Sequence, residues 1–392
     1  MHKFCMGTFF VIKCTLERDD KDERCEDMKM RLKNNIIVFI LALVISLILN
    51  AVHMLLPFMF GPIIASIICV KVFKMKVEWP QSLGLLGMIL LGVQIGSTFT
   101  KKVILEIKDD WLSIVFITLM LLTLSMIIAY FFKKIAKVNY ETAVLSVVPG
   151  ALSQMLIMAE ENKKANIMVV SLTQTSRIIF VVILVPLISF FFKDSGSGSA
   201  GASSVKPLTQ MLSLPNVIIL IVAIALVYYI MDKIKFPTKQ LLAPIIVLIA
   251  WNLITGINFK LDNFLIAGAQ IIYMIRIGIQ ISKLLDQMKG RVAVAIAFQN
   301  ISLILLSFIM VLIISTFTKH PINELFLGAA PGGMSQIVLV AIETGADVAR
   351  ISSYHIFRIF FILFVIAPLI SYLLKYLAKL DLQKEKNEES QR

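Results

Sequence analysis

Two short phrases hold the residues best suited to bind a ligand. PGALSQM (149–155) and PGGMSQI (331–337) each place a Ser-Gln pair, Ser153-Gln154 and Ser335-Gln336, just after a helix breaker. Proline removes a backbone donor, and glycine permits a sharp turn and close approach of another chain. The freed N–H groups and the hydroxyl and amide side chains could together hold a solute. A helix N-terminus at that point favours an anion, or the negative end of a dipolar group. The plainer reading is that Pro-Gly pairs only kink helices.

A second constellation follows each phrase. SLTQTSRIIF (171–180) sets Thr173, Gln174, Ser176 and Arg177 in an apolar helix, and SSYHIFRIFF (352–361) sets Ser352, Ser353, His355 and Arg358 likewise. An arginine inside a membrane span costs at least about 2.5 kcal/mol, so it should face the protein interior with a partner. That partner is either a bound carboxylate or phosphate, or the freed carbonyls of the broken element. The plainer alternative is an arginine that satisfies backbone carbonyls or snorkels to an interface. The candidate substrate-binding set is Pro149, Gly150, Ser153, Gln154, Gln174, Arg177, Pro331, Gly332, Gly333, Ser335, Gln336, His355 and Arg358. Glu160, Glu161 and Glu343 follow the phrases and are candidates for proton or cation coupling, with solvated loop residues as the plainer reading.

Other chemistry finds little support. His2, His53, His320 and His355 share no ligand spacing, and Cys5, Cys14, Cys25 and Cys69 form no metal or disulfide pattern, so neither a metal nor a cofactor is expected. No P-loop, dinucleotide fingerprint or nucleophile motif is present, which argues against an ATP-driven pump and against an enzyme. Gln94, Asn252, Arg276, Gln280, Gln299 and Asn300 read as hydrogen-bond glue between helices.

The elements that position these residues are membrane helices. Hydrophobic residues make up 58% of the chain and charged residues 16%, against roughly 45–50% and 25% in soluble domains. Apolar runs long enough to cross a hydrocarbon core of about 30 Å fall near 36–54, 56–73, 82–99, 111–132, 166–192, 216–231, 240–255, 262–282, 292–318 and 348–374. The expected fold is all-α and polytopic, with about ten transmembrane helices plus two broken or re-entrant elements. The formal net charge of +13 comes from lysine clusters between spans, so it speaks for topology rather than nucleic acid.

The chain reads as two copies of one unit. Asn34, Pro62, Gly96, Pro149 and Ser153 correspond to Asn216, Pro244, Gly278, Pro331 and Ser335, and PLIS occurs at 186–189 and 368–371. The expected organisation is a disordered cytoplasmic segment 1–33, repeat 1 at 34–192, a Gly/Ser linker at 193–210, repeat 2 at 211–375 and a charged tail at 376–392. Met28 or Met30 is an alternative start. If each phrase dips in and returns, the repeats face opposite ways and both termini are cytoplasmic. The Lys and Arg residues then divide 17 to 8 in favour of the cytoplasmic face, the tail left uncounted. Full crossing would put the lysines at 233–239 outside, so charge prefers inverted repeats.

A duplicated half ending in Pro-Gly-small-(Leu/Met)-Ser, followed by a polar cluster with arginine and then PLIS, resembles the bacterial AbrB family of membrane proteins. The resemblance covers about residues 34–374. It implies a bacterial plasma-membrane protein, distantly similar to the cation/proton antiporter and anion transporter superfamily. Members are often labelled ammonia monooxygenases or regulators of gene expression; the first label finds no metal ligands here. The soluble DNA-binding regulator of the same name is unrelated. The family phrase usually has glutamate after the serine, whereas this chain has Gln154 and Gln336, so coupling falls to Glu160, Glu161, Glu343 or to nothing. The function expected is a secondary transporter or permease for a small polar or anionic solute bound between the repeats. The alternative is a membrane sensor or regulator without transport. The partners expected are the lipid bilayer, an unidentified small solute and a second copy of the chain.

Overall fold

A computed structural model of the protein describes residues 20–372, apart from 55, 150–151, 163, 193–213, 235, 237, 258 and 319. The helices of the first half are α1 (Asp20–Ala51), α2 (Pro57–Ile67, prolonged by a π-helical turn Ile68–Val72), α3 (Gln81–Ser97), α4 (Lys101–Asp109), α5 (Trp111–Ala136), α6 (Tyr140–Val147), α7 (Leu152–Glu161) and α8 (Ile167–Phe191). Then come α9 (Leu214–Lys233), α10 (Lys239–Thr255), α11 (Asn263–Gln287), α12 (Gly290–Ser315), α13 (Ile322–Ala329), α14 (Met334–Thr344) and α15 (Val348–Phe361, prolonged by a π-helical turn Ile362–Ile366). No β-strand occurs among the described residues.

Among the described residues seven helices are long and apolar enough to cross a membrane: Met30–Ala51 of α1, α5, α8, Pro215–Lys233 of α9, α11, α12, and Val348–Tyr372. Shorter apolar helices at Pro57–Val72, Gln81–Ser97 and Lys239–Thr255 fill the other three expected spans. The protein is an all-α polytopic membrane protein. Large apolar side chains such as Ile40, Phe116, Ile221 and Ile309 stay exposed on its long helices, the surface such helices turn to lipid.

One expectation changes. Residues 1–33 were expected to be disordered, yet α1 begins at Asp20 and runs without interruption into the first span. The stretch from Asp20 to Lys33 holds no proline or glycine and many good helix formers. It propagates from the apolar segment that follows, so it bears no separate nucleation cost. The linker at 193–210, the tail at 376–392 and residues 1–19 lie outside the described residues.

The chain divides into two compact units: residues up to Leu85 with Gln270–Ser282, and Leu86–Ala269 with the residues from Lys283 on. In the first, Val38 and Ala42 of α1, Ala65 and Cys69 beside them, and Val77 pack on Ile271, Ile275 and Ile279 of α11. Gly278 lets α11 approach α2 closely, since a Cβ there would stand 2.7 Å from Ser66 Cβ and 3.0 Å from Ile63 Cα.

In the second unit, Leu220 of α9, Val247, Leu248 and Trp251 of α10, and Phe259 pack with Val93 of α3. Gly96 is the close approach here, its added Cβ falling 2.6 Å from Leu248 Cβ and 3.0 Å from Ile245 Cα. The two clusters occupy positions 182 apart: 38 and 220, 65 and 247, 77 and 259, 93 and 275. The rest of this unit is a bundle in which α5 packs on α6 and α12, α8 packs on α6, α7, α12 and α14, and α15 packs on α13, α14, α4 and α5.

Candidate functional site: two broken hairpins on one helix

Both repeated phrases break a helix for the same reason. The residue before a proline is pushed out of the helical region, and Val148 (φ −56°, ψ 121°) and Ala330 (φ −56°, ψ 134°) both sit there. α6 and α13 have 8 residues each, so at 1.5 Å per residue they reach about 12 Å, less than half of a hydrocarbon core.

Each broken element returns to the end where it began. Asn139 caps α6 by accepting from Thr142 N at 3.0 Å, and its amide donates to Lys164 O just before α8. Asn166, the N-cap of α8, donates its backbone N–H to Thr142 Oγ1 at 2.9 Å. In the second element Asn323 Nδ2 donates to Thr344 Oγ1 at 3.4 Å, and Asp347 N donates to Glu324 Oε1 at 3.3 Å. The first turn of the inbound helix therefore touches the end of the outbound one, or the start of the next helix, in both cases. α6–α7 and α13–α14 are broken helical hairpins.

α8 measures how they are placed. Its N-cap Asn166 holds the base of the first hairpin, while Ser189 near its other end donates to Asn323 at the base of the second. From 166 to 189 is 23 residues, about 34 Å of helix. The hairpins thus enter at opposite ends of α8, and both tips reach its middle. Gln174 and Arg177 grip the tip of α6, and Gly332 lies so close to Val181 that a Cβ would stand 2.7 Å from Val181 Cγ1. Arg177 and Val181 are one helical turn apart.

The polar residues at the tips form two matching braces. Gln174 Nε2 donates to Leu145 O at 2.8 Å and Val148 O at 3.0 Å. Arg177 donates to Val147 O at 2.8 Å, Ser146 O at 3.3 Å and Gln174 Oε1 at 3.2 Å. In the second brace His355 Nε2 meets Leu327 O at 2.9 Å, Arg358 Nη1 donates to Ala330 O at 3.0 Å, and Arg358 Nη2 meets His355 Nδ1. This network fits the His355 tautomer with hydrogen on Nε2. Imidazole and amide play one part: each donates to a carbonyl three residues before the pre-proline position and accepts from its arginine. A helix C-terminus carries partial negative charge and four carbonyls without intrahelical partners, which is what a buried guanidinium can satisfy. Both arginines are nearly fully buried, and each Nε finds no acceptor among the described residues.

The brace residues are 181 apart (174 and 355, 177 and 358), whereas the prolines that follow, Pro186 and Pro368, are 182 apart. The π-helical turn at Ile362–Ile366 lies between Arg358 and Pro368 and takes up the extra residue.

The other candidates fall as follows. Pro149 and Pro331 are buried, Ser335 and Gln336 are buried at the start of α14, and Gln154 is half-buried on α7. Gly332 is half-buried and Gly333 exposed at the N-cap of α14, with the Gln336 side chain folded against Gly333. Gly150 and the side chain of Ser153 lie outside the described residues. Glu160, Glu161 and Glu343 are exposed at the far ends of α7 and α14, away from the tips.

Two features differ from the sequence reading: one polar residue read as glue has no partner among the described residues, and one ion-pair cluster was not foreseen. Gln94 and Asn252 do act as glue, binding Leu261 N at 3.0 Å and Phe99 O at 3.1 Å. Gln299 is also fully buried, but neither its Nε2 nor its Oε1 has a partner among the described residues. The second is an ion-pair cluster: Arg350 with Glu324 (2.8 Å) and Asp110 (3.5 Å), and His320 with Asp110 (3.0 Å). Its one signal in the sequence was Glu324, a carboxylate set in the apolar stretch before the second phrase.

A polytopic all-α membrane protein built on two braced helical hairpins is the class this architecture defines. Over residues 58–374 the chain matches the family described as "Transition state regulatory protein AbrB", and it belongs to that family. It is 24% identical over 330 residues to "Putative regulator AbrB" of Escherichia coli (strain K12), covering 83% of this chain and 92% of that protein. It is 25% identical over 296 residues to "Uncharacterized protein YhjN" of Bacillus subtilis (strain 168), covering 72% of this chain and 76% of that protein.

Proposed function

We propose that the protein is a secondary transporter or permease of the bacterial plasma membrane, built from two inverted homologous repeats, which moves a small polar or anionic solute through a site between the two hairpin tips. The observation that carries this reading is the pair of hairpins entering from opposite ends of α8 and meeting at its middle. A helix broken at membrane depth is tolerated where it lines a cavity or is buried in protein, and transporter sites are made in this way.

The duplication has independent support. The two packing clusters coincide position for position at an offset of 182, and Gly96 on Ile245 and Leu248 matches Gly278 on Ile63 and Ser66. Each cluster borrows one helix from the other half, as expected of two copies related by a two-fold axis. Five crossings per repeat, with the hairpins returning, turn the repeats opposite ways. The lysine distribution then favours cytoplasmic termini.

The electrostatics favour an anionic or dipolar solute. The tips present the N-termini of α7 and α14, of 10 and 11 residues, together with two guanidinium groups whose Nε–H has no acceptor among the described residues. The exposed positions of Glu160, Glu161 and Glu343 leave them without a part in the central site. The reading is transport rather than catalysis, with no cofactor.

A second reading, a membrane sensor that regulates gene expression, is favoured by the word "regulator" in the name of the Escherichia coli relative. Purified protein screened by thermal shift against small carboxylates, phosphate, amino acids and ammonium gives the ligand. Flux of that ligand into proteoliposomes then separates the readings. Saturable, protein-dependent uptake supports transport, and binding without uptake overturns it in favour of the sensor.

A further inference from the structure

The two ends of the hairpin bundle are not equivalent. Around the base of the second hairpin, Asp110 between α4 and α5, His320 before α13, Glu324 on α13 and Arg350 on α15 form one ion-pair chain. Asp347 adds to it by capping α15 through Ala349 N and Arg350 N, both at 3.0 Å. Three separate stretches of chain are tied together there. At the base of the first hairpin the corresponding positions hold Val138, Thr142, Asn166, Val169 and Val292, with no ion pair among them. The backbone bond from Asn166 to Thr142 matches that from Asp347 to Glu324, so the frame is the same and only the charges differ.

The end without this ion-pair chain is the open one. A cavity of about 440 Å³ lies there, lined by Met168, Ser171, Leu172 and Thr175 of α8 and by Leu284 and Gln287 of α11. It runs along α8 from its first turn to Thr175, beside the Gln174–Arg177 brace. On α15 the matching face is closed: Met168 is 71% exposed and its counterpart Ala349 1%, while half-buried Ser171 corresponds to Ser352 at 0%. α4 and α5 pack over α15 at that end.

We propose that Asp110, His320, Glu324 and Arg350 form the closed gate of a solute pathway, and that the cavity along the first half of α8 is its open vestibule. This rests on the transport reading above. With one face open and the equivalent face sealed, the structure corresponds to one of the two states of an alternating-access cycle. Opening the sealed face separates α15 from α4 and α5 and breaks the contact of Arg350 with Asp110. The gate is asymmetric between the halves because Asp110, His320, Glu324 and Arg350 correspond to Val292, Val138, Thr142 and Val169. The charged lock therefore biases the resting protein toward the state seen here.

Labelling tests this without any solute. In full-length protein in proteoliposomes, with Cys5, Cys14, Cys25 and Cys69 replaced by alanine, Ser352→Cys reports the sealed face and Ser171→Cys the vestibule, both read with a membrane-impermeant maleimide. Ser171→Cys is expected to react readily, and Ser352→Cys slowly. Adding Asp110→Asn with Glu324→Gln is expected to speed Ser352→Cys labelling roughly tenfold or more, tenfold corresponding to 1.4 kcal/mol. Asp110→Asn alone serves if the double variant does not elute as a folded species. Rapid labelling of Ser352→Cys in the parent, or no acceleration in a folded neutralised variant, overturns the gate. Acceleration without flux of any solute keeps the gate and removes the transport reading.

Discussion

Arg177→Lys tests whether the brace holds the first hairpin. The substitution keeps a buried positive charge, so the desolvation cost largely cancels and hydrogen-bond geometry is what changes. Arg177 reaches Val147 O, Ser146 O and Gln174 Oε1 at 2.8–3.3 Å through two nitrogens of one planar fork. A single ammonium keeps about one of those three contacts. Losing two hydrogen bonds to a charged donor, at about 1.5–3 kcal/mol each, gives a destabilisation of about 3–6 kcal/mol. Unfolding in mixed micelles by titrated detergent, followed by tryptophan fluorescence, measures it. Gln174→Leu in the same background completes a cycle, and the pair should depart from additivity by about 0.5–3 kcal/mol because Gln174 Oε1 accepts from Arg177. A cost below about 1 kcal/mol for Arg177→Lys, with strict additivity, would refute the brace.

Three further outcomes are expected in the same titration. Gly332→Ala drives a Cβ against the stiff, β-branched Val181 and should cost about 1–3 kcal/mol, most of it recovered by Val181→Ala; an unrecovered loss would mean that the tip does not rest on α8. Gly96→Ala and Gly278→Ala meet backbone at the same 3.0 Å and should destabilise by similar amounts, so a large disparity would argue against equivalent packing in the two halves. Gln299→Leu removes a buried amide that has no partner among the described residues and should stabilise the protein by about 1–3 kcal/mol; destabilisation would reveal a structural role for the amide.

Much of this architecture was legible because membrane spans and helix breakers are local signals. Pro149 and Pro331 mark the breaks, and Arg177 and Arg358 announce buried charge whatever their partner. What each arginine holds was not legible: bound solute and freed carbonyls both suit a guanidinium, and the choice depends on α6 and α13 ending within its reach. The extra residue between Arg358 and Pro368 was visible in the spacing, but only the backbone shows it absorbed in a π-helical turn. The ion-pair chain stayed hidden because Asp110, His320, Glu324 and Arg350 lie on two helices and two connecting segments up to 240 residues apart, with no periodic relation. The helix from Asp20 was missed because charge density was read as disorder, although α1 continues through it.

Sidedness of the two hairpin bases is the most direct test of the account. Glu161 and Glu343 are exposed at the returning ends of α7 and α14, at equivalent positions of the two halves. As single cysteines in a cysteine-free background they can be labelled with an impermeant maleimide in right-side-out and inverted membrane vesicles. Glu161→Cys should react only from the cytoplasmic side and Glu343→Cys only from the opposite side. Reaction of both from one side would contradict hairpins that enter from opposite faces and meet at the middle of α8.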